Sequence, residues 1–289
     1  MEDLFRQFTR ERQFIRNVSP RTLEAYQWAW KAFAPALSGQ DHISKSDVLR
    51  HIEKMRAGGL SPVTVNTYVR SVNAFARWLF EEGHAPTLLR IPRLKEEQKV
   101  LATMTPEHVS RLVSYRAVTW TEKRVQMLAC LILDTGLRID ETLSLHRQTD
   151  IDLEQATVTV RHGKGGKSRI VPLSHQMRKL LFRFTQAHQP KYGDLLFYSD
   201  AGEPLNHRNV LRDFKQLCGK LGITGVRCSF HTLRHSFALA YVKNGGDVFR
   251  LQRILSHAKL EMSRRYVNLG LGDLQEVHQR FSLFANTGR

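Results

Sequence analysis

The sequence is poor in cysteine, in acidic side chains and in long apolar runs, and each shortage narrows what the chain can be. Its three cysteines, Cys130, Cys218 and Cys228, are an odd set without CxxC spacing. A disulfide-stapled secreted fold is disfavoured, and a reduced, cytoplasmic setting is expected. No apolar run approaches the roughly 18 residues that a membrane-spanning helix needs. The opening residues, MEDLFRQFTRER, have no apolar core behind a basic start, so no secretory leader is expected. Only 27 Asp and Glu oppose 44 Lys and Arg, a net charge of +17 over 289 residues. Such an excess points to a polyanion, because each phosphate neutralised by Lys or Arg releases condensed counterions. An anionic membrane surface or an acidic protein would answer to net charge alone. The charge is not a basic tail: residues 1–94 carry 14 basic and 9 acidic side chains, and residues 95–289 the remaining 30 and 18. Both halves could face one polyanion.

What is present is enough apolar material, 42% of residues, for ordinary globular cores. The length suggests two domains at about 100–200 residues each. The first part reads as helical. In SPRTLEAYQWAWKAF, Ser19 is a natural cap and Pro20 suits the first helical position. Leu23, Tyr26, Trp30 and Phe33 recur on one helix face. A second helix starts near Ser44. A third opens at Ser61 and Pro62, turns Val65, Tyr68, Val69, Val72, Phe75 and Trp78 inward, and stops by Gly83 and Pro86. These aromatic stripes read as the core of a small helical bundle rather than as base-stacking platforms. Residues 91–104, charged and aperiodic, read as a linker between a domain at 1–90 and another at 105–289. The second part is mixed. A helix starts at Thr105, Pro106 and Glu107, and RVQMLACLILDTG reads as a buried helix ended by Gly136. ATVTV and SRIVPL alternate on either side of HGKGGK, the pattern of a β-hairpin with a Gly-rich tip, and LLFYS reads as a further short strand. Helices follow near 206–221, 230–244, 247–256 and 261–267, with 271–284 as a last one.

Four segments can carry chemistry. In TGLRIDE, Arg138 sits just past a glycine at a helix end, where its side chain reaches a cleft. In HGKGGKSR, a lysine at a hairpin tip can swing into a cleft from above. In HTLRH, His231 and Arg234 lie three apart, on one helix face. LSHAKLEMSRRY offers His257 and Tyr266 on two consecutive short helices. Taken singly, each has an ordinary explanation: Arg138 a surface ion pair, His231 a structural histidine, Lys164 a solvated turn, Tyr266 a core residue.

Together and in this order, TGLRIDE, GKGGKSR, HTLRHSFA and LSH followed nine residues later by Tyr266 resemble the tyrosine recombinase family, the phage integrases, over residues 105–270. The helical segment 1–94 is similar to that family's core-binding domain in length and pattern. The resemblance implies a mostly α fold with a small β-hairpin element, an α+β arrangement of helical core-binding domain and catalytic domain closed as a C-shaped clamp on DNA. It implies an active site of Arg138, Lys164, His231, Arg234, His257 and Tyr266, with Glu141 supporting the first arginine. Lys167 is the alternative to Lys164. Ser256 stands where the family commonly has glycine, and Asp140 where it has a small residue. The resemblance further implies a dimer on one double-stranded recombination site, a tetramer on two, and passage through a Holliday junction. The simple two-domain form, without an arm-binding domain, is expected, with a cytoplasmic, nucleoid-associated location and no membrane partner. The apolar face of Leu274, Val277 and Phe281, extended by Phe284, either docks on a neighbouring protomer, as in that family, or packs on its own domain.

The chemistry suits these residue types. Phosphodiester transfer places negative charge on the non-bridging oxygens, and planar bidentate arginines, here Arg138 and Arg234, complement it without a metal ion. A phenol with an ordinary pKa of about 10 needs a base near neutrality, for which His231 is the candidate. The 5′-oxygen leaving group needs an acid, for which Lys164 is the candidate. His257 donates to the phosphate. A covalent 3′-phosphotyrosine stores the bond energy, so neither ATP nor another cofactor is expected. Three other readings bear on these residues. Cys218, Cys228, His231 and His235 give C-x9-C-x2-H-x3-H, a poor finger spacing for zinc. A non-catalytic DNA-binding regulator would have no use for the hairpin lysine and terminal tyrosine. A type IB topoisomerase would use similar chemistry, but the compact plan and the helical front favour recombination.

Overall fold

A computed structural model of the chain describes residues 1–37, 44–97, 102–161, 168–188 and 193–256. The chain divides into two units, Met1–Lys99 and Val100–Arg289.

The N-terminal unit is four helices: α1 (Glu2–Phe14), α2 (Pro20–Leu37), α3 (Lys45–Ala57) and α4 (Pro62–Glu81). Their starts follow local chemistry. Ser44 accepts from Asp47 N, and Ser61 from Thr64 N with Pro62 in the first turn, so orphan amides at each helix start are satisfied. The aromatic stripes are core. Phe33, Phe75 and Trp78 are buried, Phe5 stacks on Trp30 with centroids 4.6 Å apart, and Phe8 packs against Phe75 and Trp78. Two asparagines of α4 fix the segment after it. Asn73 accepts from Ile91 N (2.8 Å) and donates to Ile91 O (2.9 Å), and Asn66 does the same with Leu94 (2.8 and 2.9 Å). Each side-chain amide thus satisfies both backbone groups of one residue, as a neighbouring strand would. The helix α1 precedes the first start read from the sequence. It has no side-chain cap and buries only Phe5 and Phe8, so it lacks both the start signal and the long stripe.

The C-terminal unit is built around α6 (Trp120–Thr135), whose Leu128, Ala129, Leu131 and Ile132 are fully buried. Around it lie α5 (Pro106–Ser114), α7 (Ile139–Leu143), α8 (His175–Ala187), α9 (His207–Lys220), α10 (Phe230–Lys243) and α11 (Val248–Leu255). An antiparallel sheet of β1 (Ile151–Asp152), β2 (Thr157–Val160) and β3 (Arg169–Pro172) pairs Val158 with Val171 and Val160 with Arg169. The fold is mostly helical with one small sheet, as expected. One local expectation changes, and one helix adds to those expected. LLFYS is not a strand; it makes isolated bridges, His146 with Leu195 and Tyr198 with Pro204. HQMRKLLFRFTQA forms α8, capped by Ser174 and burying Met177, Leu181 and Phe184. The expected helices at 261–267 and 271–284 lie outside the described residues.

Candidate active site

The site grows from a glycine. The helix α6 ends at Gly136 in the left-handed region, φ 66°. A Cβ there would come within 2.4 Å of Phe237 and 2.6 Å of Leu255, so both the turn and the close approach of α10 and α11 require glycine. The carbonyl of Gly136 accepts from Arg234 Nη1 at 2.6 Å, and the same guanidinium donates through Nη2 to Leu255 O at 2.7 Å. Arg234 is 7% exposed: the charge is deep, and its surroundings are helix ends.

Two residues after Gly136, Arg138 caps α7. Its amide donates to Glu141 Oε2 at 2.9 Å, its Nη1 to Glu141 Oε1 at 2.8 Å, and its Nη2 to Ser256 O at 3.3 Å. Glu141 is buried and is also gripped from the sheet. Arg169 Nη1 and Nη2 donate to its two oxygens at 3.0 and 2.7 Å, and Arg169 Nε donates to Ile254 O at 2.8 Å. Burial pushes the Glu141 carboxyl up, but the hydrogen bonds and charges of Arg169 and Arg138 outweigh it and hold the pKa at about 2. Three arginines from three elements therefore meet three successive carbonyls, those of residues 254, 255 and 256. These are the last carbonyls of α11, which have no partner within the helix and carry the negative end of its dipole, so guanidinium donors are the fitting caps. The cap itself, Ser256, is left-handed at φ 49°, a conformation that suits glycine better than serine.

His231 lies one turn before Arg234 on α10 and is exposed. Its pKa is held below the ordinary histidine value, first by desolvation of the ring and then by the positive charges of Arg234, His207 and Arg227, with Asp140 opposing. Asp140 points to His207, with Oδ1 3.5 Å from Nδ1, and is well exposed. Arg138, Glu141 and Arg234 are thus brought together, with His231 three residues before Arg234 on α10. Lys164, Lys167, His257 and Tyr266 lie outside the described residues. Among the described residues, no three His, Cys, Asp or Glu side chains gather as a metal site, so Cys218, Cys228, His231 and His235 do not assemble into one. No helix among them is long and apolar enough to cross a membrane.

Arg169 escaped the sequence reading, although a signal was there. In SRIVPL the period-two alternation puts Arg169 on the same face as Val171, which is buried, and Ile170 on the other, where it is 66% exposed. An arginine in the inward register must have a partner, and the partner is Glu141. A second basic feature lies within the N-terminal unit. Arg12, Arg16, Arg70, Arg77 and Arg90, together with Tyr26 and Glu81, line a cleft of about 620 Å³.

The sequence model of the phage integrase family matches residues 102–270. The tyrosine recombinase XerD of Listeria monocytogenes serotype 4b is 27% identical over 297 residues, covering 97% of this chain and 99% of that protein. Two solved structures share the fold at lower identity. The Tn1549 transposon integrase in complex with circular intermediate DNA superposes with a TM-score of 0.74 at 19% identity, covering 95% of this chain and 99% of that one. The XerH site-specific recombinase bound to a palindromic difH substrate, in a post-cleavage complex, gives 0.72 at 21%, covering 97% and 84%.

Proposed function

The chain belongs to the phage integrase family of tyrosine recombinases, and from that premise we propose that it cuts and rejoins double-stranded DNA at a recombination site through a covalent bond to Tyr266. It is a tyrosine site-specific recombinase by family; the covalent route is our reading. The observation that carries it is the convergence of Arg138 and Arg234 on the last carbonyls of α11, with His257 the next residue and Tyr266 nine residues beyond.

In this reading the scissile phosphate sits against Arg138 and Arg234, whose planar donors meet the charge that grows on its non-bridging oxygens. His231, whose pKa its surroundings lower, takes the phenolic proton as the Tyr266 oxygen attacks phosphorus. The P–O5′ bond breaks, and Lys164, with Lys167 as the alternative, protonates the departing 5′-oxygen. His257 donates a hydrogen bond to the phosphate. The 3′-phosphotyrosine is then attacked by a 5′-hydroxyl from a second duplex, which exchanges strands and passes through a Holliday junction without ATP. Both units contact the DNA, with a dimer on one site and a tetramer on two. The N-terminal unit acts as the core-binding domain, and its arginine cleft meets backbone phosphates, which carry position rather than sequence.

The test is a nicked suicide substrate, from which the fragment carrying the 5′-hydroxyl escapes. The wild-type protein accumulates a covalent protein–DNA adduct, in EDTA as in buffer. Tyr266→Phe binds the same DNA and forms none. An adduct that persists in Tyr266→Phe removes that tyrosine from the reaction.

A further inference from the structure

We propose that Arg169 is a positioning residue of the strand-cleavage step, one that keeps Glu141 from neutralising Arg138. The inference rests on the reading of Arg138 as a phosphate ligand. It starts from a charge count. Glu141 is a single buried carboxylate held by two guanidiniums, its Oε1 accepting from both Arg138 and Arg169 and its Oε2 from the Arg138 amide and Arg169. The trio therefore carries one net positive charge, at the place where an incoming phosphate needs it. Side-chain exposure of Glu141 is 4% and of Arg169 is 9%, so neither charge is relieved by water. Arg138 is the more open partner, at 23%. Arg169 gives the carboxylate both of its Nη donors, whereas Arg138, the more open guanidinium, gives it only Nη1.

Without Arg169 the balance inverts. A buried carboxylate keeps whatever cation remains, because an unpaired charge in the interior is costly. Arg138 would become the sole partner of Glu141, a neutral pair turned inward. The contact is also geometric. Arg169 opens β3, five residues after Lys164, and its Nε holds Ile254 O, while Arg138 Nη2 holds Ser256 O. One side chain thereby ties the return strand of the hairpin to the first arginine and to the end of α11 that leads into His257. The substitution that keeps charge but loses the two-point fork, Arg169→Lys, cannot make all three contacts.

The experiment is single-turnover cleavage of the suicide substrate at saturating DNA, with DNA affinity and melting temperature measured alongside. Arg169→Gln is expected to cleave about 10²-fold more slowly with DNA affinity unchanged, the scale on which a misplaced catalytic group acts. Adding Glu141→Gln removes the charge that captures Arg138, and the double variant is expected to recover about tenfold of that loss. A merely structural Arg169 predicts instead that rate and melting temperature fall and recover together, whereas the proposal predicts a rate loss in protein that is fully folded at the assay temperature. If Arg169→Gln does not fold, Arg169→Lys takes its place, with an expected loss of about tenfold. Wild-type cleavage by the Gln variant, or by the Lys variant where it stands in, overturns the proposal, as does a double variant without recovery. Arg138→Ala separates this from failure of the underlying reading. If it too cleaves normally, the phosphate-ligand reading falls; if it is inactive while Arg169→Gln is not impaired, only the role of Arg169 falls.

Discussion

His231 shows how a side chain's surroundings decide its chemistry. An imidazole that must accept a proton has to be neutral, and desolvation together with the cations around it lowers its pKa below the ordinary 6.5. The sign follows directly: lowering favours the neutral form, so the base is competent above that pKa and is lost as pH falls through it. The single-turnover cleavage rate is therefore expected to rise with pH along a limb whose midpoint lies below 6.5, and to lose that limb in His231→Asn. A midpoint above the ordinary value would remove His231 as the base. Asp140 works against this lowering. Ser256 sits on left-handed backbone where glycine would be unstrained. Lys164 is tested by the leaving group. Lys164→Ala is expected to cut an ordinary substrate slowly and one with a 5′-phosphorothiolate at nearly the wild-type rate, because a thiolate leaves without an acid. Rescue of Lys167→Ala in its place would move the acid three residues along.

Among the elements, what was legible in the sequence was what has a local cause. Ser44 and Ser61 cap helices because their hydroxyls meet amides three residues on, and that pattern is written in the chain. The buried run of α6 and its glycine stop were legible for the same reason. Helix α1 was not, since Met1 offers no cap and Phe5 and Phe8 pack against aromatics of α2 and α4 far along the chain. Helix α8 interleaves charge with a narrow apolar stripe, and LLFYS has strand composition but bridges single residues. In the site, Arg138, Glu141 and Arg234 were legible through their motifs. Their meeting at the end of α11 was not, because the acceptors are backbone carbonyls and no side chain advertises them. Gly136 is the joint of this arrangement. Gly136→Ala would have to carry a side chain at positive φ and displace Phe237 or Leu255. It is expected to destabilise the C-terminal unit by about 2–4 kcal/mol, from backbone strain and overpacking together. Urea unfolding of that variant checks it, and an unchanged midpoint would mean the α6, α10 and α11 junction is looser than described.

For the whole molecule, the net charge of +17 becomes a measurable salt dependence. Removing a phosphate contact lowers the slope of log affinity against log salt by about 0.9. Arg70→Gln with Arg77→Gln, from the arginine cleft of the N-terminal unit, is expected to reduce that slope by about 2 and to weaken specific and non-specific DNA alike. An unchanged slope would place the phosphate contacts elsewhere on that unit. The central claim is that one tyrosine carries the DNA strand between breaking and rejoining. Its most direct test is to trap the adduct on a suicide substrate, digest it with protease and nuclease, and sequence the nucleotide-bearing peptide by mass spectrometry. The account predicts a 3′-phosphonucleotide on Tyr266, within the peptide that follows Arg265. A nucleotide on any other residue, or cleavage without a covalent adduct, would contradict it.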